Sequence, residues 1–192
     1  MNVLELKKLN LVTFTLNCNQ LYILLDNNRA RLSPWFWWAS RNVTPNKLRF
    51  YWVVVKFLAD TRFAKVLHRL DSTASYDEQF IVYNSKNKIG GLCGLDDIDT
   101  VNKRAEVWGL AFRGNTETIE AMTELEDYCI TNLQLKSIYA CVKSTNRASQ
   151  LFWEKYGYDK RRLDLHVKVS QHNPKYADIY TYTRELITLP GR

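Results

Sequence analysis

The chain has 192 residues, of which 46% are hydrophobic and 24% are charged. These values are typical of one folded domain with a sizeable core, and they exclude a mostly disordered chain. The formal net charge of +7 suits a partner that is nucleic acid, an acidic protein or a cofactor with several phosphates. A solvated basic surface is the plain alternative, because the basic residues are dispersed along the chain.

The N-terminal segment and the pattern of cysteines favour a location inside a cell. The N-terminal segment lacks the order of a secretory signal, and no apolar run is long enough to span a membrane, so we expect no membrane partner. The four cysteines and three histidines show no metal-ligand spacing, which predicts no metal site and a reducing, cytoplasmic location. Cys129 and Cys141 fall on apolar faces, and we interpret both as small core residues.

The first third of the chain predicts a strand followed by helices. Residues 1–16 are apolar and β-branched in patches, which indicates a first strand. Leu21–Asp26 is compatible with a helix. Ser33 and Thr44 each precede a proline, as is typical of a helix start. The second of these starts precedes a helix with apolar positions at Leu48, Tyr51, Trp52, Val55, Leu58 and Ala59.

The remainder predicts a mixed α/β domain built on one sheet. Gln79–Tyr83 and Ile89–Leu95 flank turn-forming residues and indicate a hairpin. Alternating and helical spacings then predict further elements in chain order. They are a strand at Arg104–Phe112, a helix at Ile119–Leu133, a strand at Ser137–Val142, a helix at Arg147–Tyr156, and strands at Leu163–Val169 and Ile179–Leu186.

Two segments carry candidate chemistry. In the first, the strand Arg104–Phe112 runs into Arg113–Ala121, which combines a tight turn that contains Gly114 with the start of the next helix. Free N–H groups and the dipole at a helix N-terminus favour an anion there, although an ordinary turn has the same pattern. In the second, Asn146–Tyr158, Asn146 is a natural N-cap and Gly157 a natural C-cap. A capped helix without further role is the alternative for this segment.

Together these segments resemble the GNAT superfamily of acetyl-CoA-dependent N-acyltransferases. The more specific part is the sequence NRASQLFWEKYGY at Asn146–Tyr158. Arg29–Ala39 and Lys175–Tyr182 are similar to elements of the branch that acetylates N-terminal amines of ribosomal proteins. The resemblance covers residues 11–187 and treats residues 1–192 as one domain. It implies an acyl-CoA N-acyltransferase fold with a mostly antiparallel sheet, acetyl-CoA as co-substrate, and an acceptor that is a protein N-terminal amine or a small amine.

The resemblance also implies which residues bind the co-substrate. The end of the strand before the glycine turn would bind the pantetheine arm through unpaired amides, and the loop Arg113–Thr118 would hold the pyrophosphate. The implied cofactor-binding residues are Gly109, Leu110, Ala111, Phe112, Arg113, Gly114, Asn115, Thr116, Glu117, Thr118, Asn146, Ser149 and Phe152.

Catalytic and acceptor-binding roles follow from the same resemblance. Asn146 would lie beside the thioester, and Ser149 would be the general acid that protonates the departing CoA thiolate. Glu106 would be the general base, with Asp164 and His166 as weaker candidates on a later strand. Four consecutive aromatic residues, Trp35–Trp38, form an aromatic cluster, and the implied acceptor-pocket residues within it are Trp35 and Trp38.

Two residues depart from the family pattern. Thr116 stands where the family places a small residue, and Glu117 adds a negative charge beside the expected pyrophosphate. A degenerate fold that acts as a non-catalytic binding module is therefore an alternative to an enzyme. Association with ribosomes or nucleic acid through the basic surface is a third hypothesis, and a homodimer is left open.

Overall fold

The structure is a computed structural model that describes residues 5–28, 46–71, 74–84, 86, 88–110, 115–170 and 173–186. Within these residues, seven strands form one sheet in the order β1-β2-β3-β4-β5-β7-β6. The strands are β1 Glu5–Lys8, β2 Tyr76–Tyr83, β3 Ile89–Asp99, β4 Arg104–Leu110, β5 Ser137–Lys143, β6 Asp159–Ser170 and β7 Asn173–Glu185. The described helices are α1 Leu11–Asn27, α2 Lys47–Leu70, α3 Asn115–Thr131 and α4 Arg147–Tyr156.

Strand directions confirm the predicted fold class. β4 and β5 are parallel, and every other pair of neighbouring strands is antiparallel. The predicted hairpin, both later helices and the strand at Leu163–Val169 are confirmed within about four residues of their predicted bounds, and the last strand is confirmed but begins at Asn173 rather than at Ile179. The helix expected to start at Ser33 lies outside the described residues. No helix in the described ranges is long and apolar enough to cross a bilayer.

The predicted first strand over residues 1–16 is wrong beyond Lys8, because a helix begins at Leu11. Asn10 caps this helix: its side-chain oxygen accepts from the Thr13 N–H at 3.0 Å, and its own N–H donates to the Thr13 hydroxyl at 2.8 Å. This capping box satisfies N–H groups that have no partner within the helix. The cap and the packing of this segment therefore stabilise a helix, although its β-branched residues favour a strand.

The helix α2 confirms the predicted amphipathic helix, but only part of the predicted face is buried. It starts at the N-cap Asn46, whose side chain accepts from the Arg49 N–H at 2.9 Å. Phe50 and Leu58 are buried, whereas Leu48 and Trp52, both predicted to face inward, are exposed. The inward stripe is therefore rotated from the predicted one.

The sheet is covered on both faces. The larger core packs β2–β5 and β7 against α3 and α4, with Leu125, Ile138 and Tyr182 completely buried. A second core packs α1 and α2 against the other face of β2 and β3 through Phe14, Phe50 and Ile81. Because side chains alternate along a strand, a residue next to one that faces the larger core points to the opposite face of the sheet. This alternation determines on which face each polar side chain of the strands lies.

A buried carboxylate joins four elements on the α3 side. The side chain of Glu78 is fully buried, and the ammonium groups of Lys8 and Lys65 donate to it. The Tyr128 hydroxyl donates to the same carboxylate at 2.6 Å. Burial alone would raise the pKa of Glu78, but the hydrogen bonds from Lys65, Lys8 and Tyr128 outweigh it and hold the pKa below its ordinary value. This network fixes β1 and α2 to the sheet.

Candidate active site

The parallel strands β4 and β5 pair at one end and then diverge. Their register contains three pairs, Arg104 with Ser137, Ala105 with Ile138 and Glu106 with Tyr139. β4 continues to Leu110 paired only with β3, and β5 continues to Lys143 paired only with β7. Beyond the third pair, the facing edges of β4 and β5 therefore lack ladder partners in each other. A gap with backbone amide and carbonyl groups on both sides suits an extended ligand that carries amides.

Helices α3 and α4 begin at the same edge of the sheet. Each follows one of the two parallel strands, so both N-termini lie beyond the carboxyl ends of β4 and β5. Ligands of open α/β sheets bind in such a crevice, where helix N–H groups favour negative charge. The divergence and the paired N-termini together form the candidate acyl-donor site.

The start of α4 is held by side chains that bond to the backbone. The Asn146 side-chain oxygen accepts from the Ser149 N–H at 3.3 Å. Gln150 is buried, and its amide group donates to the Ser144 carbonyl at 2.7 Å and to the Lys143 carbonyl at 3.3 Å. The sequence prediction named Asn146 and Ser149 but missed Gln150, whose signal is a polar residue on the inward face of the helix.

Of the predicted phosphate loop, residues 115–118 form the first turn of α3. Glu117 is half-buried there, and one of its carboxylate oxygens is buried with no hydrogen-bond partner among the described residues. Ala111, Phe112, Arg113 and Gly114 lie outside the described residues. The backbone of α3 can thus offer N–H groups to an anion, while Glu117 opposes a negative charge.

Two of the predicted cofactor-binding residues, Gly109 and Leu110, border the gap, and a third, Phe152, does not. Gly109 and Leu110 end β4, where they pair with Cys93 and Leu92 of β3. Phe152 lies one turn into α4, stacked on the ring of Tyr156 at 5.7 Å. Both predicted strand residues therefore border the gap, whereas Phe152 packs against the larger core.

Glu106 is in the last β4–β5 pair, directly before the gap opens. Ala105 and Val107 face the core under α3, so alternation assigns Glu106 to the opposite face. Burial raises the pKa of Glu106 to about 7; the hydrogen bond from Cys141 opposes this rise, and the charges of Asp97 and Asp77 add to it. A carboxyl group with this pKa ionises near neutral pH and can exchange a proton there.

Further carboxyl groups, which the sequence prediction missed, lie around Glu106. Asp96 is its cross-strand partner on β3, and burial, with Asp77 adding, raises the pKa of Asp96 to about 7. Asp77 accepts from the Asp97 N–H at 3.0 Å. Strand register, which pattern reading did not supply, brings these acids together.

A cavity of about 310 Å³ adjoins this acidic face. Its walls combine the start of β2, the end of β3, the start of β4 and the paired part of β5. The lining residues are Ser75, Asp97, Asp99, Arg104 and Tyr139. The cavity lies at the paired end of β4 and β5, opposite to the end at which α3 and α4 begin.

Of the two weaker candidate bases, only Asp164 has a described side chain. Asp164 on β6 forms an ion pair with Arg162 at 2.5 Å, so its charge already has a partner. The side chain of His166 lies outside the described residues, as do Trp35 and Trp38.

The interpretation of Cys141 as a core residue is wrong, whereas that of Cys129 is confirmed. Cys129 is completely buried, but Cys141 is exposed on the Glu106 face of β5. The signal was present in the sequence: with Ala140 and Val142 inward, Cys141 must face the other way. Burial, then the charge and hydrogen bond of Glu106, raise the pKa of the Cys141 thiol to about 12.

Comparisons with known proteins agree with this geometry. Residues 38–175 match the family described as "Acetyltransferase (GNAT) domain". No curated protein sequence matches the chain significantly. Among solved structures, a spermidine N-acetyltransferase from Vibrio cholerae in complex with CoA and spermine has a TM-score of 0.65 at 18% identity, over 95% of each chain. RimL, a ribosomal L7/L12 alpha-N-protein acetyltransferase in complex with CoA, has a TM-score of 0.71 at 17% identity, over 95% of this chain and 94% of that chain.

The family match covers 138 of the 192 residues, well over half of the chain. The gap between β4 and β5, with two helix N-termini at its open end, suits the amide-rich arm and phosphates of an acyl-CoA. The predicted GNAT membership, fold and acetyl-transfer function are confirmed, with acetyl-CoA as co-substrate and an amine as acceptor. The chain belongs to the GNAT family of acetyl-CoA-dependent N-acetyltransferases.

Proposed function

We propose that the protein acetylates a small amine that carries more than one positive charge, with Glu106 as the general base. The observation that carries this proposal is the acidic face: Asp77, Asp96 and Asp97 surround Glu106. The chain as a whole is basic, with a formal net charge of +7. Negative charge concentrated at one site on a basic protein attracts a cationic ligand to that site.

The chain's residues would carry out two proton transfers. A protonated amine has no free electron pair, so Glu106 in its ionised form takes a proton from the amine. Acetyl-CoA supplies the activated acyl group. As the bond between nitrogen and the acyl carbon forms and the carbon–sulfur bond breaks, Ser149 transfers the second amine proton to the leaving sulfur: it donates its hydroxyl proton to sulfur and takes one from the acetylated nitrogen. Asn146 shapes this end of the site by capping Ser149, and the rest of the rate enhancement comes from positioning.

The cavity supports the choice of a polycationic acceptor. Asp97 is exposed in its wall, where the Ser75 hydroxyl donates to it at 3.4 Å. Asp99 is more engaged, because it accepts from the N–H groups of Val101 and Asn102. Asp97 is therefore the group best placed to bind a second ammonium group of the acceptor. Likeness to the spermidine acetyltransferase supports this class, while likeness to RimL keeps a protein N-terminal amine as the second candidate.

The test measures CoA release by mass spectrometry with spermidine, a monoamine and an N-terminal peptide as acceptors. We expect spermidine to have the highest kcat/KM. Asp97→Asn should raise KM for spermidine about threefold and leave KM for the monoamine unchanged, since one exposed charge pair is lost. Asn tolerates the positive φ of 51° at this position. Asp127→Asn on the exposed face of α3 is the matched control.

Glu106→Gln tests the base separately. We expect kcat to fall by about 10²–10⁴, with acetyl-CoA binding retained in calorimetric titration. An unchanged kcat would remove Glu106 from the mechanism, and a peptide that outperforms spermidine would replace the acceptor class. If the parent protein itself does not bind acetyl-CoA, the result would instead favour the non-catalytic binding module.

Three further features stay predictions of the sequence. A cytoplasmic location is supported by the buried free thiols of Cys93 and Cys129, and cell fractionation would test it. Association with ribosomes or nucleic acid through the basic surface should weaken steeply with salt if it occurs. A homodimer is tested by light scattering; a spermidine N-acetyltransferase of similar fold has been solved as a dodecamer.

A further inference from the structure

Trp108 of β4 lies where β4 and β5 diverge. It lies two residues beyond Glu106, on the same face and past the last pair that joins β4 to β5. Its cross-strand partner on β3 is Gly94. A large ring at this point borders the gap, so the direction in which the ring leans determines how much of the gap is free.

The indole of Trp108 lies over β3 in the space that a side chain at Gly94 would fill. A β-carbon at Gly94 would lie 2.5 Å from Cζ2 and 2.7 Å from Cε2 of the ring, and 2.8 Å from the Glu78 carbonyl oxygen. Real β-carbons do not approach other atoms this closely. Glycine at position 94 is thus what allows the ring to lean over β3.

A half-buried carboxylate on β3 holds the ring in this direction. The Trp108 indole N–H donates to Asp96 at 2.8 Å, and Asp96 is the cross-strand partner of Glu106. Asp96 therefore contacts the ring and faces the proposed base. This hydrogen bond fixes the ring in one orientation, and it strengthens when Asp96 is ionised.

We propose that Gly94, Asp96 and Trp108 form a positioning unit that holds the indole over β3 and keeps the acyl-donor gap between β4 and β5 free. Asp96 has a second effect in this unit, because its charge adds to the negative field at Glu106. The effect on acyl-donor binding rests on membership of the GNAT family, and the effect on Glu106 rests on the proposed function. Asp96 and Gly94 are positioning residues, since neither needs to touch the reacting atoms.

The first test is acetyl-CoA binding by calorimetric titration, which does not depend on the acceptor or on Glu106. Gly94→Ala displaces the ring and should weaken binding about tenfold. Gly90→Ala on the same strand is the matched control, because a β-carbon there would meet only the Val82 carbonyl oxygen at 3.9 Å. The 5-fluorotryptophan NMR signal of Trp108, assigned with Trp108→Phe, should shift in Gly94→Ala and stay in place in Gly90→Ala.

Asp96 variants test the unit without adding bulk. Asp96→Ala removes the acceptor of the indole N–H and should weaken acetyl-CoA binding by a similar factor, about tenfold. Asp96→Asn retains an acceptor oxygen and should restore binding to within about twofold of the parent. Normal binding in Asp96→Ala, with the Trp108 signal shifted, would overturn the proposal even if Gly94→Ala fails to fold.

The pH profile tests the effect on Glu106. The groups that face Glu106 are Asp77 on β2, Asp96 and Asp97 on β3, and Tyr139 and Cys141 on β5. Asp96→Asn removes one negative charge, so the acidic limb of kcat/KM should move to lower pH. An unmoved limb would refute this part. If Glu106→Gln keeps full activity, the proposed base fails, while the binding results still decide the positioning unit.

Discussion

Replacing Glu106 with Gln is expected to remove activity and to stabilise the fold at alkaline pH. Burial is the main reason that the pKa of Glu106 rises from 4.5 to about 7 in the folded protein. A carboxyl group with a raised folded-state pKa holds its proton more tightly in the native state than in the unfolded state. Its contribution to stability is therefore complete below the unfolded-state pKa and is lost as the pH rises through about 7.

The size of this effect follows from the two pKa values. The interval from 4.5 to about 7 corresponds to about 3 kcal/mol, at roughly 1.4 kcal/mol per pKa unit. At pH 5 about 1 kcal/mol of this loss of stability is already present, because Glu106 has begun to ionise in the unfolded chain. The free energy of unfolding of Glu106→Gln, relative to the parent, should thus rise by about 2.5 kcal/mol between pH 5 and pH 8.

Urea denaturation followed by circular dichroism at both pH values measures this change. The matched control is Glu124→Gln on the exposed face of α3, which should give the same small difference at pH 5 and pH 8. Equal differences for Glu106→Gln at the two pH values would refute the reasoning, because they would mean that Glu106 ionises as easily in the folded chain as in the unfolded one.

Three further predictions concern stability and reactivity. Glu78→Gln should lower the free energy of unfolding at pH 7 by about 3 kcal/mol in urea denaturation, because two lysine ammonium groups lose their buried partner. The pKa of Glu78 lies below its ordinary value of 4.5, so this difference should persist above that pH and shrink as the pH falls through the folded-state pKa; a constant difference would contradict it. Gly157→Ala should cost about 1 kcal/mol in calorimetry, since φ is 92° at this helix end, and an unchanged Tm would speak against strain there. Cys141 should react faster with iodoacetamide at pH 8 in Glu106→Gln, because loss of the neighbouring charge lowers the pKa of the thiol; equal labelling rates by mass spectrometry would show that the two groups do not interact.

Local signals made the α4 region predictable from sequence. Asn146 and Gly157 are caps whose chemistry depends on a few neighbouring residues, and the helix lies at its predicted bounds. The strand–turn–helix pattern around β4 and α3 was readable for the same reason. The local signal for α1 was also present, in Asn10 and Thr13, but β-branched residues in the same segment favoured a strand.

The acidic face was not predictable, because it depends on register between distant segments. Asp77, Asp96 and Glu106 are on three different strands, and each looks like an ordinary solvated acid in the sequence. Pairing of Asp96 with Glu106 and the contact of Asp77 with the Asp97 backbone exist only once β2, β3 and β4 are aligned. Long-range pairing of this kind is set by the whole core rather than by any short pattern.

The position of the gap follows from how the two halves of the sheet are joined. β4 and β5 share three residue pairs, so helix packing supplies much of the connection between the halves. Glu126 of α3 accepts from the Tyr158 hydroxyl at 3.2 Å and lies 3.5 Å from the Arg184 guanidinium. These contacts hold α3 to β7 on the core face and leave the strand edges above the third pair free. The sheet can therefore stay open at this point, because α3 and α4 stabilise the junction that β4 and β5 do not complete.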